Sequence, residues 1–252
     1  MLANYHTHTY RCRHAEGQPY EYVENAINNG LEILGFSDHV AYPLKEGYVS
    51  TFRMSLPEAE SYVAEIEELK DKYTGKIKIY TGYEAEYYPD YFESMLNYIG
   101  QYGYDYLILG QHFINNEFDG VYSGGFCDEA TLKRYVDQLV EGMKTGVFSY
   151  VAHPDLINYR EDTAVFRKEM LRVCEASIQY DIPLEFNLLG FREKRAYPYS
   201  EFWKLVSEVG CKTIIGWDAH SPKYAGDHKT YQEALKELRK YDITPIERLG
   251  NL

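Results

Sequence analysis

The chain has 252 residues, of which 45% are hydrophobic and 16% aromatic, so it can bury a large core and does not have the composition of a disordered protein. Its formal net charge of −13 disfavours long nucleic acid as a partner, because an acidic surface repels a phosphate backbone. The four cysteines are scattered without a C-x-x-C spacing, which fits a reducing, cytoplasmic location. We expect neither a membrane span nor a signal peptide, since no apolar run is long enough.

Short apolar runs alternate with longer stretches of helical periodicity along the chain. The predicted strands cover residues 2–5, 32–36, 77–81, 105–110, 148–152, 183–186 and 212–216. The predicted helices cover residues 19–29, 57–72, 89–101, 128–145, 163–180, 198–209 and 229–240. Seven strand–helix units with strands this apolar predict an α/β fold with a parallel sheet, closed as a barrel or a distorted barrel, in a single domain of residues 1–252. A doubly wound open sheet fits the same pattern.

Seven of the eight histidines lie in or just after the ends of predicted strands, and only His228 stands apart. Carboxylates and an amide accompany them. In chain order the polar residues at the seven strand ends are His6, His8 and His14; Asp38 and His39; Glu84 and Glu86; His112; His153 and Asp155; Glu185 and Asn187; Asp218 and His220. Because the carboxyl ends of barrel strands meet at one face, we expect these side chains to converge on one pocket.

The chemistry of this set favours metal. Imidazole nitrogens with a few carboxylates suit zinc, iron or manganese, and an H-x-H or D-x-H pair at a strand end puts both side chains on one face. About nine candidate ligands exceed the needs of one ion, so two or three divalent ions with a bridging glutamate are expected. Each residue also has a structural interpretation: Asp155 could be a turn residue, and Glu86 a surface acid.

Other common catalytic motifs do not occur. A serine hydrolase of the usual strand–turn–helix type is disfavoured because the sequence lacks G-x-S-x-G. The phosphate-binding loops G-x-x-x-x-G-K-[ST] and G-x-G-x-x-G are also missing, which disfavours nucleotide binding of those types.

Several motifs resemble those of the polymerase and histidinol phosphatase (PHP) family, most of all its stand-alone histidinol-phosphatase branch. They occur in order over nearly the whole chain: HTHT at 6–9, RCRHAEG at 11–17, FSDH at 36–39, GYEAE at 82–86, GQH at 110–112, AHPD at 152–155, NLLGFR at 187–192 and GWDAHSP at 216–222. The resemblance implies a distorted (β/α)7 barrel with its metal site at the C-terminal ends of the strands.

The resemblance also implies a ligand set. One ion would be held by His6, His8, Glu84 and Asp218, with Glu84 bridging to a second ion held by His112 and His153; a third would be held by His14, His39 and His220. Glu86 is not a ligand in the family pattern. The implied activity is that of a phosphoric monoester hydrolase of histidine biosynthesis, acting on L-histidinol phosphate through a metal-bridging hydroxide, with Asp218 and Glu84 at the reaction centre. Asp38 would orient His39 or a neighbouring ligand.

A small phosphorylated metabolite also needs donors for its phosphate, and arginine has the matching planar fork. Arg160 and Arg192 are the predicted substrate-binding residues, with Arg53 and Arg195 as weaker candidates. Two alternatives stay open: a PHP phosphoesterase acting on nucleotides or nucleic-acid ends, and a metal-bound regulatory module without turnover. The sequence specifies neither the metal nor the oligomeric state.

Overall fold

The computed structural model describes residues 2–250 and 252, and its main feature is a seven-stranded parallel sheet rolled into a distorted β/α barrel. In chain order the strands are β1 (Ala3–Asn4), β2 (Ile33–His39), β3 (Lys78–Ala85), β4 (Tyr106–Leu109), β5 (Phe113–Ile114), β6 (Val121–Tyr122), β7 (Tyr150–Val151), β8 (Leu184–Asn187) and β9 (Thr213–Gly216). The helices are α1 (Pro19–Asn28), α2 (Glu58–Lys72), α3 (Phe92–Ile99), α4 (Glu129–Lys144), α5 (Thr163–Tyr180), α6 (Leu188–Glu193), α7 (Ser200–Val209) and α8 (His228–Arg239).

The strand order identifies the sheet as a barrel. Neighbours follow the chain as β1-β2-β3-β4-β7-β8-β9 without the reversal of a doubly wound sheet, so the open-sheet alternative is wrong. The two edges meet beyond the ends of β1 and β9, where Thr7 and Ala219 form a parallel bridge. The amide of His8 donates to the carbonyl of Ala219 at 3.0 Å. This closure brings the first and last predicted metal-binding segments together.

The seven predicted strands and seven predicted helices are confirmed, with two additions. β5 and β6 form a small antiparallel hairpin, and α6 is a short helix directly after β8. β2 and β3 also extend beyond the apolar runs that predicted them, into segments whose polar residues, among them His39 and Glu84, are buried. Among the helices that the structure describes, none has a stretch long and apolar enough to cross a membrane.

Tyrosines fill part of the barrel interior. The hydroxyl of Tyr106 lies 2.7 Å from the carbonyl oxygen of Tyr5 and 3.1 Å from that of Phe36, so the buried ring is anchored to two strands. Gly35 and Gly82 leave the space for this ring, since a Cβ at Gly82 would lie 2.6 Å from Tyr106 Cζ and one at Gly35 2.9 Å from it. The interior below the polar strand ends is therefore a packed layer rather than a channel.

The helices bury their apolar stripes against the outside of the sheet. In α2 the buried positions are Ala59, Tyr62, Val63, Ile66 and Leu69, which follow the helical spacing. The loop after β1 is attached to the same helix through two basic residues. Arg11 binds Glu65 at 2.6 Å, and Arg13 binds Glu58. These arginines therefore hold the loop that carries His14 in place.

Candidate metal centre

The predicted ligands lie together at the carboxyl edge of the barrel, as the strand-end pattern indicates. β2 and β3 contribute His39 and Glu84 from within the strands, His14 lies further along the loop after β1, and the remaining ligands follow within a few residues of strand ends. Most of these side chains are almost fully buried: His6 and His8 have no exposed surface, and Glu84 has 1%. Burial of so many polar groups is costly unless each finds a partner, so the cluster is built for binding rather than for packing.

Glu84 is the centre of the cluster. Its Oε2 lies 3.4 Å from Nε2 of His6, 3.4 Å from Nε2 of His8 and 3.2 Å from Nδ1 of His39. The distances suit atoms that share an ion better than atoms that share protons, since they exceed those of charge-assisted hydrogen bonds. One oxygen of Glu84 therefore faces three imidazoles.

The other oxygen of Glu84 faces the opposite side of the cluster. Its Oε1 lies 2.7 Å from Nε2 of His153 and 3.6 Å from Nε2 of His112. Gly110 at the end of β4 makes this position available, because a Cβ there would lie 2.6 Å from Glu84 Cδ. A carboxylate with one oxygen toward each of two histidine groups has the geometry expected of a bridging ligand.

Asp218 connects the first and last segments of the barrel. Its Oδ1 lies 3.2 Å from Nε2 of His8, 3.6 Å from Nε2 of His6 and 3.1 Å from Nδ1 of His220. Asp218 has a φ of +48° and His153 one of +30°, both in the left-handed region that non-glycine residues seldom adopt. Such local strain, about 1–3 kcal/mol per residue, is typical of functional sites.

His14 reaches the same cluster from the loop after β1. Its ring lies 4.6 Å from the ring of His220 and 5.5 Å from that of His39, measured between centroids. Its Nδ1 lies 2.7 Å from the carbonyl oxygen of Cys12, so Nε2 remains the free nitrogen. Cys12 itself is buried, and its sulfur accepts the amide hydrogen of Ala15.

The donor atoms that face the centre fit metal ions. Among the described residues, these buried atoms have no hydrogen-bond partner: Nε2 of His6, Nε2 of His8, Nδ1 of His39, Oε2 of Glu84, Oδ1 of Asp218 and Nε2 of His220. Several subsets, including His6–His8–Glu84 and His8–His39–His220, place three donor atoms within 4.8 Å of one another. Nitrogen and carboxylate donors in this spacing are the set that divalent zinc, iron and manganese accept.

Electrostatics divide the histidines into two groups. For His8, burial lowers the pKa, but the carboxylates of Asp218 and Asp38 outweigh it and raise the pKa to about 9. Burial lowers the pKa of His14 to about 4, helped by His220 and His8. Burial also opposes ionisation of Glu84, yet the surrounding histidines hold its pKa well below the usual range. Without a bound ion, Glu84 is therefore ionised and His14 neutral at pH 7, which are the states a metal requires, whereas His8 is protonated and has to release its proton when an ion binds.

Carboxylates outside the predicted ligand set support the histidines. Glu86 is fully buried, so its interpretation as a surface acid is wrong: its Oε1 lies 3.0 Å from Nδ1 of His112 and accepts from Arg53 at 3.0 Å. Arg53 is itself buried and paired with Glu117 as well, so its guanidinium is already occupied. Sequence reasoning missed this network because its members are distant along the chain.

Asp38 lies beside His8 rather than beside the imidazole of His39. Its Oδ1 is 3.4 Å from Nδ1 of His8 and accepts the backbone amide of His39 at 2.8 Å, while Oδ2 accepts from the backbone amide and hydroxyl of Thr9. Asp155 does not face the donor cluster: its Oδ2 accepts from the amide of Tyr199 at 2.6 Å and the indole of Trp203 at 3.0 Å. It fastens the turn after β7 to α7.

A cavity of about 360 Å³ opens above the donor atoms. Among the described residues that line it, the carboxylates are Glu84 and Asp218, both in the predicted ligand set, and the cation is Arg195. An aromatic wall, defined by Phe52, Phe113, Tyr122 and Tyr197, forms much of the rest. Phe52 stacks on Phe113 at 5.5 Å between centroids, and Phe113 packs on Tyr122 at 5.4 Å. The wall was not predicted, since β5 and β6, which carry Phe113 and Tyr122, were not predicted.

Neither predicted substrate-binding arginine is among the described residues that line the cavity. Arg160 donates to the carbonyls of Tyr159 at 2.7 Å and Ala196 at 2.5 Å, and its guanidinium covers the ring of Tyr199. Arg192 is different: its Cζ lies 3.5 Å from the centroid of the Tyr224 ring. Its three guanidinium nitrogens are buried and have no hydrogen-bond partner among the described residues. Arg192 therefore has unused donors, whereas Arg160 has committed two nitrogens.

The fold and the site define a distorted β/α-barrel protein with a histidine–carboxylate cluster able to hold metal ions at the ends of its strands. The PHP domain family model matches residues 4–188. A probable histidinol-phosphatase from Deinococcus radiodurans is 30% identical over 94% of this chain and 93% of its own length. The histidinol-phosphatase of Bacillus subtilis is 25% identical over 92% of this chain and 97% of its own length. The chain belongs to the PHP domain family.

A solved structure has the same fold. It is histidinol phosphate phosphatase from Lactococcus lactis, complexed with zinc, L-histidinol and phosphate. The similarity covers 99% of this chain and 97% of that one, with a TM-score of 0.75 and 22% sequence identity.

Proposed function

We propose that the chain is a metal-dependent phosphoric monoester hydrolase that converts L-histidinol phosphate and water to L-histidinol and phosphate. The observation that carries the proposal is the set of buried donor atoms at the floor of a cavity of about 360 Å³, which have no hydrogen-bond partner in the described part of the chain. The names of the two curated relatives and the bound molecules of the Lactococcus protein support this substrate.

Two or three divalent ions, zinc, manganese or iron, are the proposed cofactors. The assignment of ligands to ions is the one that the family resemblance implies, and the donor distances around Glu84 support it for His6, His8 and His153. The proposed ligands of the first ion are His6, His8, Glu84 and Asp218; those of the second, Glu84, His112 and His153; and those of the third, His14, His39 and His220. When bound, such ions lower the pKa of water and neutralise phosphate oxygens.

The chain's own residues then have defined tasks. Glu84 keeps one oxygen on each side of the centre, which fixes the separation of the two histidine groups. Asp218 is the proposed proton acceptor for the attacking water, because its Oδ1 lies at the cavity floor without a hydrogen-bond partner among the described residues. Asp38 keeps His8 oriented toward the centre.

Substrate binding is assigned to the arginines and the aromatic wall. Arg195 lines the cavity, although its guanidinium already pairs with Glu193 and the hydroxyl of Tyr197. Arg192 has donors without a partner among the described residues and lies one helical turn after the cavity residue Leu189. We assign the phosphate to these two and keep Arg160, the other predicted donor, as a candidate. Arg195 and Arg160 would each have to give up an existing bond to bind phosphate. The wall suits an imidazole and a neighbouring ammonium, because aromatic faces stack on flat rings and attract cations.

A phosphate-release assay tests the proposal. Purified protein loaded in turn with zinc, manganese and iron should release phosphate from L-histidinol phosphate far faster than from adenosine monophosphate. The variant His153→Ala should lose this activity. His228→Ala is the matched control, because His228 lies at the start of α8 and contacts the carbonyl of Asn29. A preference for the nucleotide would favour the alternative phosphoesterase. If the protein contains no ion after purification and binds none on reloading, the mechanism is refuted.

A further inference from the structure

Glu185 is a fully buried carboxylate beside the donor cluster that the proposed function does not use. It lies in β8 and has no exposed surface. Its Oε1 is 2.7 Å from Nδ1 of His6. Its Oε2 accepts the backbone amide of His153 at 2.9 Å and the side-chain amide of Asn187 at 2.9 Å. Asn187 also donates to Asp218 at 3.1 Å.

These contacts determine which nitrogen of His6 carries a hydrogen. A carboxylate only accepts hydrogen bonds, so Nδ1 of His6 is the donor and Nε2 is the nitrogen left to bind an ion. Nε2 points into the cluster, 3.4 Å from Glu84 and 3.6 Å from Asp218, and has no hydrogen-bond partner among the described residues. Glu185 thus presents the ligating nitrogen of His6 to the centre.

The second oxygen of Glu185 acts on the other side of the centre. His153 has a φ of +30°, an unfavourable backbone conformation, and its amide is held in place by Glu185. Since both oxygens accept from N–H groups, a glutamine could satisfy only one side, because its nitrogen would face a donor on the other. The site therefore requires a carboxylate and not only a hydrogen-bonding group of that size.

The neighbouring strand leaves space for this carboxylate. A Cβ at Gly216, the last residue of β9, would lie 2.7 Å from Cδ of Glu185 and 3.1 Å from Cβ of His6. Any side chain at this position would push Glu185 away from His6. Gly216 is thus the second component of the arrangement.

We propose that Glu185 is a positioning residue that couples the two sides of the metal centre, by orienting His6 through one oxygen and the backbone of His153 through the other. The inference rests on the assignment of these histidines as metal ligands under the proposed function, and it is independent of the substrate. Carboxylates that hold a ligating histidine typically change metal affinity about 10- to 100-fold when removed.

Metal binding tests the inference without any substrate. Glu185→Gln and Gly216→Ala are compared with wild type. Cobalt(II) is titrated into each protein after a chelator has removed its metal, and the visible absorption bands of the bound cobalt are followed. Both variants should bind at least one ion about 10- to 100-fold more weakly and show altered bands. Glu169→Gln is the matched control, since Glu169 is a buried glutamate of α5 that pairs with Arg172 at 3.0 Å. Unchanged affinity and bands in both test variants would overturn the proposal.

A measurement on the wild-type protein tests the proposal even if the variants do not fold. In the zinc-loaded protein, nitrogen NMR should show His6 bound through Nε2 with a hydrogen retained on Nδ1. Zinc bound through Nδ1 of His6 would overturn the proposal whatever the variants do. If histidinol phosphate is not hydrolysed but the variants still lose ions, the substrate assignment fails while the role of Glu185 stands.

Discussion

Gly110→Ala adds one methyl group next to Glu84 and leaves every predicted ligand in place. The new Cβ would overlap Oε1 of Glu84 and lie 2.6 Å from its Cδ, where an ordinary contact begins at 3.4 Å, so the carboxylate has to move by at least about 0.8 Å. Its Oε1 lies 2.7 Å from Nε2 of His153, and a movement of this size breaks that contact. We expect kcat for phosphate release to fall about 100-fold, the typical effect of a displacement near 1 Å at a reacting centre.

Elemental analysis and steady-state kinetics measure the outcome. The variant should bind fewer ions per chain than wild type, because the bridging carboxylate serves both sides of the centre. Gly125→Ala is the control, since a Cβ there would only reach ordinary contact, 3.5 Å from the carbonyl oxygen of Tyr122. Wild-type metal content together with wild-type kcat in Gly110→Ala would refute the bridging role of Glu84.

Three further predictions follow from the site and its surroundings. His14→Ala should lose one ion of the wild-type complement by elemental analysis; retention of all ions would place His14 outside the centre. Arg195→Ala should raise KM for the phosphoester more than it lowers kcat, because Arg195 lines the cavity, while Arg167→Ala, outside the cavity lining, serves as control; an unchanged KM would contradict the assignment. Burial raises the pKa of Asp155 from 3.8 to about 6. Between pH 3.8 and about 6 the unfolded chain loses this proton while the native state keeps it. The free energy of unfolding therefore falls by up to about 3 kcal/mol as the pH rises from 4 to 7. Asp155→Asn stays neutral, so in urea unfolding the wild type should gain free energy of unfolding relative to the variant as the pH falls, and a difference independent of pH would refute this reasoning.

Much of the fold was predictable because apolar runs and helical periodicity mark the seven units directly. The barrel strands are short and buried on both faces, which gives continuous apolar segments. The hairpin of β5 and β6 was not predictable in this way, since each strand has two residues and Val121 and Tyr122 are exposed. The ends of β2 and β3 were also missed, because Asp38, His39 and Glu84 interrupt the apolar pattern while remaining buried.

The sequence by itself determined the kinds of donor, their order and the edge of the barrel at which they meet, because parallel strands place their carboxyl ends together whatever the details of packing. Only the tertiary structure decided which polar groups pair. His6 contacts Glu185 across 179 residues, and Arg53 contacts Glu86 across 33. Such pairs depend on how the sheet closes and on the space left by glycines such as Gly110 and Gly216, and neither leaves a periodic signal in the chain.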